Sequence, residues 1–377
     1  MKIAYYMPFK PMGHVHPSGD LVIGTELYDY LRNRQHSIEL ISKLRCRWIY
    51  YRPLLLLRLP GEKRRILRHC RTMQPNLWLS YHSYYKAPDL LGPWCSRELN
   101  LPYVIFQGIY STKRRRQLET LPGFLLNRKA LLSADHVFTN KKRDHTNLER
   151  LLPEHRLSYI APGIHPGSFE FSGEWRQELQ RHWRIQDETV VMTAAMMRPG
   201  VKTEGIARVM ESCAELMQRG LRLRLIIVGD GICRPQLEKK AGELRMSPDK
   251  VLFAGQIPRA EMPRYYSAAD IFAFPGFEES LGMVYLEAQS CNLPVVACGD
   301  WGGGEAVVDG RTGLLTPAES PERFTTAIGR LIEDRSLRLM LAGAAGEHIR
   351  AGHDLQRNYS QLEDSLVELA AKYVRPL

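Results

Sequence analysis

Two glutamates eight residues apart indicate more about the chemistry of this protein than any other pair of residues in the sequence. Glu279 and Glu287 are separated by Ser-Leu-Gly-Met-Val-Tyr-Leu, a glycine within an apolar run. Ile271–Phe274 is a short apolar stretch that a Pro-Gly pair ends, and helical spacing begins at Met283. This order predicts a strand, a loop and a helix, with Glu279 in the loop and Glu287 in the second helical turn.

The start of that helix is a candidate anion site. The backbone N–H groups of Leu281, Gly282, Met283 and Val284 have no partner within the helix, and an anion there gains roughly 0.3–2 kcal/mol per charge. With a carboxylate on either side, the segment suits a nucleoside diphosphate sugar, whose phosphates meet N–H groups and whose hydroxyls meet carboxylates. The alternative is an amphipathic helix whose acids only complement its dipole.

The elements that must position these groups alternate between strand and helix along 377 residues, which predicts two domains. The expected fold class is α/β, with two doubly wound Rossmann-like domains facing a cleft at the carboxyl ends of parallel strands. A Pro/Gly-rich joint near Ala161–Gly167 separates them. The predicted boundaries are 1–165, 166–352 and 353–377, the last being a helix that packs back on the first domain.

The predicted strands are short apolar runs. In the first half they are Lys2–Tyr6, Ser37–Ile41, Leu77–Tyr81, Tyr103–Phe106 and His136–Thr139. In the second half they are Val190–Ala194, Leu223–Val228, Val251–Ala254, Ile271–Phe274, Val295–Cys298 and Gly313–Leu315.

Charge is unevenly distributed along the chain. The net charge is +11, yet residues 1–170 hold 27 Lys+Arg against 13 Asp+Glu, so the first half favours an anionic partner. The seven cysteines form no C-x-x-C pair, which favours reduced thiols in the cytoplasm. The first residues read as a strand rather than a signal peptide, and no apolar run approaches the length of a membrane span.

Further groups of the second half follow predicted strands. Arg198 and Lys202 come after Val190–Ala194 and could hold a leaving diphosphate, although such a pair is also common on solvated surfaces. Gly229 follows a buried strand without the full G-x-G-x-x-G pattern, which disfavours a nicotinamide site. Backbone groups near Ile257 could meet a base edge, and an ordinary strand end is the alternative.

Together these motifs resemble one family. In order they read R-x-x-x-K, I-I-V-G-D-G, F-A-G, A-A-D-I-F-A-F-P, E-S-L-G-M-V-Y-L-E-A, L-P-V-V-A and G-G-G-E-A-V-V-D-G-R-T-G. The stretch from about residue 160 to 350 is similar to the donor domain of GT-B glycosyltransferases of the retaining family 4 type, the "glycosyl transferases group 1" domain. The resemblance implies a UDP- or GDP-linked sugar as donor.

The resemblance also implies residue roles. Glu279 would contact the donor sugar near the reacting carbon, and Glu287 would accept hydrogen bonds from the ribose. Backbone from Leu281 to Val284 would bind the diphosphate. Arg198 and Lys202 would neutralise it as the glycosidic bond breaks, when leaving-group charge develops.

The first half departs further from the family. Gly19 could let backbone approach the diphosphate, and His82 matches a histidine that the family often has at a strand end. Gln107 stands where a second family histidine is expected, and an amide cannot carry a proton as imidazole does. His14 and His16 favour the surface but could face the cleft.

The sequence contains no D-x-D motif, so no metal is expected. Basic, aromatic and leucine residues are mixed over Lys43–Arg52, Pro53–Leu59 and Lys63–Arg65, and Lys113–Arg116 adds a second cluster. Such mixtures suit an anionic membrane surface, or they form a solvated basic face. No nucleic-acid-reading motif is present, so nucleic acid is not the expected partner.

The predicted function is a retaining hexosyltransferase that moves a sugar to a cell-envelope glycan or glycolipid, as in lipopolysaccharide or polysaccharide biosynthesis. Its expected location is the cytoplasm, with peripheral attachment to the inner face of the cell membrane. The alternatives are a soluble glycosyltransferase for a small acceptor, and a non-catalytic scaffold that binds nucleotide sugars or a membrane. A nucleic-acid-binding module is a third alternative.

Overall fold

The computed structural model describes residues 1–14 and 19–373, apart from the side chain of Pro166. The chain forms two compact units. Unit 1 consists of Met1–Pro162 together with Gln356–Leu377, and unit 2 is Gly163–Leu355. No helix within the described ranges combines the length and the apolar character that crossing a membrane requires.

Unit 1 is built on a six-stranded parallel sheet. Its strands are β1 (Lys2–Tyr6), β2 (Ser37–Ser42), β3 (Leu77–Ser83), β4 (Tyr103–Gly108), β5 (His136–Thr139) and β6 (Leu157–Tyr159), in the order β2-β1-β3-β4-β5-β6. Its helices are α1 (Gly19–Asn33), α2 (Pro53–Leu56), α3 (Leu59–Met73), α4 (Gly92–Leu99), α5 (Leu121–Ser133) and α6 (Lys142–Leu148).

The central strands of this sheet are buried along their whole length. Every residue of β3 and of β4 is buried, as expected for parallel strands covered by helices on both faces. The chain runs from β1 outward to β2 and then returns to β3 on the other side of β1. The switch in strand order therefore lies between β1 and β3, where open sheets bind ligands at the strands' carboxyl ends.

Unit 2 has a second six-stranded parallel sheet. Its strands are β7 (Thr189–Ala194), β8 (Leu223–Val228), β9 (Val251–Gly255), β10 (Ile271–Ala273), β11 (Val295–Cys298) and β12 (Gly313–Thr316), in the order β12-β11-β10-β7-β8-β9. Its helices are α7 (Gly173–His182), α8 (Val201–Gln218), α9 (Arg234–Glu243), α10 (Met262–Ala268), α11 (Met283–Ser290), α12 (Gly302–Ala306), α13 (Pro321–Glu333) and α14 (Arg335–Gly352).

The core of unit 2 is continuous around β7, β8 and β10, whose apolar side chains are almost all fully buried. The chain fills one half of the sheet with β7, β8 and β9, and then returns to β10 beside β7. The switch in strand order thus lies between β7 and β10. Lys202 lies at the start of α8, the helix that follows β7, and Glu279 lies in the loop that follows β10.

The last helix, α15 (Leu355–Lys372), belongs to unit 1 from Gln356 onward. Leu362 and Leu366 are fully buried, whereas Tyr373 is 41% exposed. The carboxylate of Glu363 accepts hydrogen bonds from Tyr30 of α1 and from Arg34, which follows the helix, and it is bonded to His36. These contacts attach the helix to α1.

The predicted α/β class with two doubly wound, Rossmann-like units is confirmed. Strands β1, β5, β8 and β11 begin and end where the sequence predicted, and the others differ by a few residues. One strand, β6, was missed, because it is a three-residue edge strand and two of its residues are only half-buried. A lone edge strand of that length has no distinctive apolar pattern.

Candidate active site

The side chains of Lys202 and Glu279 meet at the switch point of the second sheet. Lys202 lies in the first turn of α8, directly after the loop from β7, and Glu279 lies in the loop after β10. The ammonium of Lys202 donates to Oε2 of Glu279, and both side chains are about four-fifths buried. Residues 77 apart in the sequence thereby form one charged pair at the place where such sheets bind ligands.

The pKa of Lys202 is lower than that of an ordinary lysine. Burial, together with repulsion from the neighbouring Arg198, lowers its pKa to about 8. The contact with Glu279 opposes this shift because it favours the charged ammonium. The ammonium also lies 5.4 Å from the centre of the Phe274 ring. Lys202 is thus a cation whose charge an arriving anion would stabilise, and the exposed Arg198 adds a second cation beside it.

The loop that contains Glu279 is fixed by its own backbone. The N–H of Glu279 donates to the carbonyl of Gly276 at 2.9 Å, and the carbonyl of Glu279 accepts from the N–H of Gly302 at 3.0 Å. The hydroxyl of Tyr285 donates to the carbonyl of Phe274 at 3.0 Å. These bonds hold the carboxylate at a defined position rather than on a free loop.

The predicted anion site is the start of α11. Gly282 precedes the helix with φ of 69°, a left-handed conformation that glycine adopts without strain. A side chain at Gly282 would also collide with the Tyr285 ring, at 2.2 Å. Leu281 is buried, Met283 and Val284 are half-buried, and this turn begins two residues after Glu279.

Glu287 lies in the second turn of α11 and is buried. Its Oε1 accepts a hydrogen bond from Nε of Arg259 at 2.8 Å, and its Oε2 accepts one from the hydroxyl of Tyr266 at 3.1 Å. The two bonds from Arg259 and Tyr266 orient the Glu287 carboxylate and keep its charge paired.

Two neighbouring strand ends complete this edge of the sheet. Gly229 follows β8 with φ of 126°, and a side chain there would collide with the carbonyl oxygen of Ala195 at 2.0 Å. Its N–H donates to the carbonyl of Gly255 at 2.8 Å. The half-buried Ile257 follows β9 and packs against the core. Gly229 thus lets the loop after β8 pack on the loop after β7.

The switch point therefore brings together Arg198, Lys202, Glu279 and the start of α11. Gly229 and Ile257 follow β8 and β9, the next two strands of the sheet. Sequence reasoning missed Arg259 and Tyr266, which hold Glu287. A cation two residues after Ile257, in the loop after β9, was the available signal for Arg259.

Unit 1 has its own polar group at the corresponding place. Nδ1 of His82, near the end of β3, lies 3.3 Å from Oδ1 of Asp20 in α1. Burial alone would raise the pKa of Asp20, but its interaction with His82 outweighs burial and lowers the pKa to about 2. The His82 ring is buried and packs on Phe9 and Tyr84, with centroids 5.1 and 4.8 Å away.

Two neighbouring strands of this sheet end in strained backbone. His82 has φ of 64° and Gln107, at the end of β4, has φ of 65°. Both occupy the left-handed region, which is unfavourable for residues with side chains. They stand at matching positions, because Tyr81 pairs with Phe106 and Ser83 with Gly108.

Several buried polar atoms at these strand ends have no hydrogen-bond partner in the described structure. They are Nε2 of His82, Oε1 of Gln107, Oγ1 of Thr139 and Oδ1 of Asn140. Lys141 follows them and pairs with Asp144 at 3.5 Å, with both side chains buried. Buried polar atoms are nearly always satisfied in folded proteins, so this cluster has the chemistry to bind a ligand with many hydroxyl groups.

The remaining predicted residues of unit 1 are Gly19, His14 and His16. Gly19 is the exposed first residue of α1, and a side chain there would meet no atom within 4 Å. His14 is half-buried, and its N–H donates to the carbonyl of Pro11 at 3.2 Å. His16 lies outside the described residues.

Comparison with known proteins adds to this geometry. The family model described as "Glycosyl transferases group 1" matches residues 187–334. A D-inositol 3-phosphate glycosyltransferase of Frankia alni is 32% identical over 301 residues, which cover 74% of this chain and 72% of the relative.

Two further proteins show the range of the similarity. The GDP-mannose-dependent alpha-(1-6)-phosphatidylinositol monomannoside mannosyltransferase of Mycolicibacterium smegmatis is 32% identical over 203 residues, 52% of either chain. The chain thus spans about half the length of the first curated relatives it matches. The crystal structure of Anabaena HepE in complex with UDP has a TM-score of 0.77 at 19% identity and covers 98% of this chain and 100% of HepE, which shows a shared fold.

Proposed function

Since this chain belongs to the glycosyl transferases group 1 family, we propose that it is a retaining hexosyltransferase. The donor is a nucleoside diphosphate sugar, and the acceptor is a cell-envelope glycan or glycolipid. In the reaction the bond between the sugar's anomeric carbon and the phosphate oxygen breaks. The acceptor oxygen bonds to that carbon, and its proton goes to the departing diphosphate.

The observation that carries this proposal is the Lys202–Glu279 pair at the switch point of unit 2. A buried lysine beside a second cation, Arg198, suits a diphosphate whose charge grows as the glycosidic bond breaks. The N–H groups at the start of α11 hold the same phosphates. When the diphosphate takes over the Lys202 charge, the Glu279 carboxylate becomes available to the donor sugar's hydroxyls.

We assign the nucleoside to the adjoining strand ends. Glu287, kept charged by Arg259 and Tyr266, accepts hydrogen bonds from the ribose. The loop that contains Ile257 contacts the base, and Gly229 keeps the loop after β8 clear of the phosphates. The names of similar proteins support this donor class, because one uses GDP-mannose and another was crystallised with UDP.

Unit 1 is assigned to the acceptor. Its unpartnered buried atoms at His82, Gln107 and Asn140 suit hydroxyl groups, which both donate and accept hydrogen bonds. Gly19 would let its backbone approach the diphosphate. A lipid-linked or polymeric acceptor agrees with the Mycolicibacterium relative, whose name gives a phosphatidylinositol mannoside as its acceptor.

The residue at the end of β4, Gln107, supports a retaining reaction. Gln107 cannot remove a proton from the acceptor hydroxyl. In a retaining reaction the departing phosphate takes that proton on the same face of the sugar, so Gln107 needs only to orient the hydroxyl. No metal is assigned a role, because Lys202, Arg198 and the start of α11 supply the positive charge. Action on a lipid-linked acceptor would place the protein in the cytoplasm, at the inner face of the cell membrane.

The test is donor hydrolysis followed by transfer. UDP-glucose, UDP-galactose and GDP-mannose are each incubated with the wild-type protein, and released UDP or GDP is measured. Glu279→Gln should lose the activity, and Glu278→Gln, which changes the exposed neighbouring carboxylate, should keep it. Proton NMR of the first sugar released should show the donor's own anomeric configuration.

Two outcomes would contradict the proposal. Binding of nucleotide sugars without hydrolysis or transfer to any glycan or glycolipid would indicate a non-catalytic scaffold. A released sugar of inverted configuration would overturn retention while leaving the donor assignment intact.

A further inference from the structure

Three separate segments of unit 1 converge on one exposed surface. They are residues 45–58, residues 84–86 and residues 112–125. The Trp48 and Tyr51 rings have centroids 6.3 Å apart, and Trp48 lies 6.1 Å from Tyr85. The hydroxyl of Tyr51 donates to the carbonyl of Glu119 at 2.8 Å, which joins the first segment to the third. Gly123 packs against the Tyr50 ring and the carbonyl of Tyr85.

Large apolar side chains project to solvent around these contacts. Leu54 is 76% exposed and Leu57 is 77% exposed, while the intervening Leu55 and Leu56 pack on the core. Leu118 is 86% exposed, directly beside the residue that Tyr51 contacts, and Leu125 is 53% exposed. Single exposed leucines are ordinary on a protein surface, but four around one aromatic cluster form an apolar patch.

The same surface is strongly cationic. The three segments contain nine lysines and arginines and a single carboxylate, Glu119. Lys86 lies over the rings of Trp48 and Tyr85, at 5.7 and 5.6 Å, and Arg114 lies 4.7 Å from the centre of Tyr85. These stacked cations cover aromatic faces and leave their charge at the rim of the patch.

The cations repel one another because little negative charge is present. Burial, with repulsion from Arg47 and Arg52, lowers the pKa of Arg45. Among the residues that the structure describes, Arg47, Arg52 and Lys86 have no carboxylate within 4.0 Å. A basic rim without acidic partners indicates that the compensating charge comes from outside the chain.

We propose that this surface, the leucine–arginine surface, docks on an anionic lipid membrane. It is made of Tyr51, Leu54, Leu57, Leu118 and Leu125 with the surrounding cations. The leucines enter the boundary between headgroups and acyl chains, and the arginines contact lipid phosphates. Apolar side chains that can be buried, together with a cationic rim, are the two features that interfacial membrane binding needs. A nucleic acid would use the cations but not the leucines.

Docking also explains what the aromatic cluster does. The Trp48 ring packs against the rings of Tyr50 and Tyr85, with centroids 5.8 and 6.1 Å away, so it joins two of the segments that contain or adjoin the leucines. The inference rests on the proposed function only in giving the membrane a purpose, which is to hold a lipid-linked acceptor near unit 1.

The test is co-sedimentation of the full-length chain with lipid vesicles. Vesicles of phosphatidylcholine alone are compared with vesicles of equal parts phosphatidylcholine and phosphatidylglycerol. The wild-type protein should bind only the anionic vesicles at about 0.1 M salt, and binding should weaken towards about 1 M, where the Debye length falls to about 3 Å.

Two paired variants separate the leucines from the charges. Leu54→Ser with Leu57→Ser should weaken binding at least about tenfold at any salt concentration. Arg115→Gln with Arg116→Gln should weaken it about thirty-fold at low salt only. The matched controls are in unit 2: Leu339→Ser with Met340→Ser, both 59% exposed, and Arg181→Gln with Arg184→Gln. Neither control should change binding.

Failure of the wild-type protein to bind anionic vesicles would overturn the inference. An equal loss of vesicle binding in the Leu54/Leu57 variant and in the Leu339/Met340 control would also overturn it. Binding to RNA or DNA that the Leu54/Leu57 variant retains, without vesicle binding, would assign the cations to nucleic acid instead. Donor hydrolysis is measured on the same samples without vesicles. Hydrolysis without membrane binding would reject only the docking surface, and membrane binding without hydrolysis would reject only the proposed function.

Discussion

The switch points of the two sheets differ in how their predicted functional side chains are paired. In unit 2 the carboxylates of Glu279 and Glu287 are both paired, to Lys202 and to Arg259 with Tyr266. In unit 1, Nε2 of His82 and the amide oxygen of Gln107 are buried without a hydrogen bond to any residue that the structure describes. The same topology therefore positions two charge-compensated carboxylates in unit 2, and in unit 1 a histidine and a glutamine that each retain a buried side-chain atom without a partner.

The difference indicates how each site would meet its ligand. In unit 2 a diphosphate would replace an existing partner of Lys202, so ligand binding exchanges one ion pair for another. In unit 1 an acceptor would supply hydrogen bonds to buried atoms that have none from the described residues. Leaving a buried polar group unsatisfied costs about 1–3 kcal/mol, so pairing such a group with an acceptor hydroxyl would favour binding. Strained backbone, as at His82 and Gln107, is common at functional sites.

The largest expected effect is on turnover at the unit 2 site. Glu279→Gln keeps the shape of the side chain and removes its charge, and Lys202→Met removes the cation. Either should lower kcat for donor hydrolysis by roughly 100- to 1000-fold, the range for losing one group that stabilises transition-state charge. Steady-state release of UDP or GDP measures the change.

The double variant should be little worse than either single variant, because the two groups act as a pair. Glu278→Gln serves as the control, and a comparable loss there would mean that the loop's general fold, rather than the pair, supports turnover.

The second prediction separates binding from turnover. Glu287→Gln should weaken the affinity for UDP or GDP by about 10- to 100-fold, since hydrogen bonds to a charged group contribute about 1.5–3 kcal/mol. At saturating donor, kcat should change little. Calorimetric titration gives the affinity.

Glu363→Gln is the matched control, because Glu363 is a buried carboxylate of unit 1 that is also bonded to an arginine and a tyrosine. It should leave nucleotide affinity unchanged. An equal fall of kcat and affinity in Glu287→Gln would place this residue at the reacting carbon instead.

The third prediction is a pH dependence of nucleotide affinity. Lys202 loses its proton with a pKa of about 8 in the free protein, and a bound diphosphate raises that pKa. Binding therefore takes up a proton above pH 8, and affinity should fall as pH rises, by at most about tenfold per pH unit. Below pH 8 the lysine is already charged, so this group adds no pH dependence there.

Titrations of UDP across this range provide the measurement, and Lys202→Arg supplies the control, because a guanidinium stays charged throughout. A wild-type affinity that is constant from pH 7 to about pH 10 would show that Lys202 does not contact the phosphates.

The smallest predicted effect is on stability and concerns unit 1. Gln107→Leu removes a buried amide oxygen that has no partner, and it should raise the free energy of unfolding by about 1 kcal/mol. Gln289→Leu is the contrasting variant in unit 2, because the Gln289 amide nitrogen donates to the carbonyls of Tyr285 and Ala306, although its amide oxygen also lacks a partner among the described residues. That change should destabilise by about 1–3 kcal/mol. Chemical denaturation measures both.

If Gln107→Leu destabilised as much as Gln289→Leu, the amide at the end of β4 would be structural. The contrast between the two switch points would then be lost. Transfer to an acceptor should fall in Gln107→Leu while donor hydrolysis persists, because Gln107 is assigned to acceptor binding and not to donor binding.

The strands of both sheets, except the short edge strand β6, were predictable because continuous apolar runs between helices are a local signal. The pairing of Lys202 with Glu279 was not, since it depends on β10 lying beside β7, and strand order is decided by tertiary packing. For the same reason Arg259 and Tyr266 were missed as partners of Glu287. The left-handed backbone at His82 and Gln107 was not predicted, because a positive φ at a residue with a side chain depends on the surrounding tertiary structure rather than on a local sequence pattern.

One titration tests the central claim most directly, that the Lys202–Glu279 pair at the second sheet's switch point binds an activated sugar. UDP, GDP and their sugar conjugates are titrated into the wild-type protein, Lys202→Met and His82→Asn. The account predicts one site per chain, retained in His82→Asn and at least about tenfold weaker in Lys202→Met. Equal affinity in wild type and Lys202→Met, or no nucleotide binding at all, would contradict it.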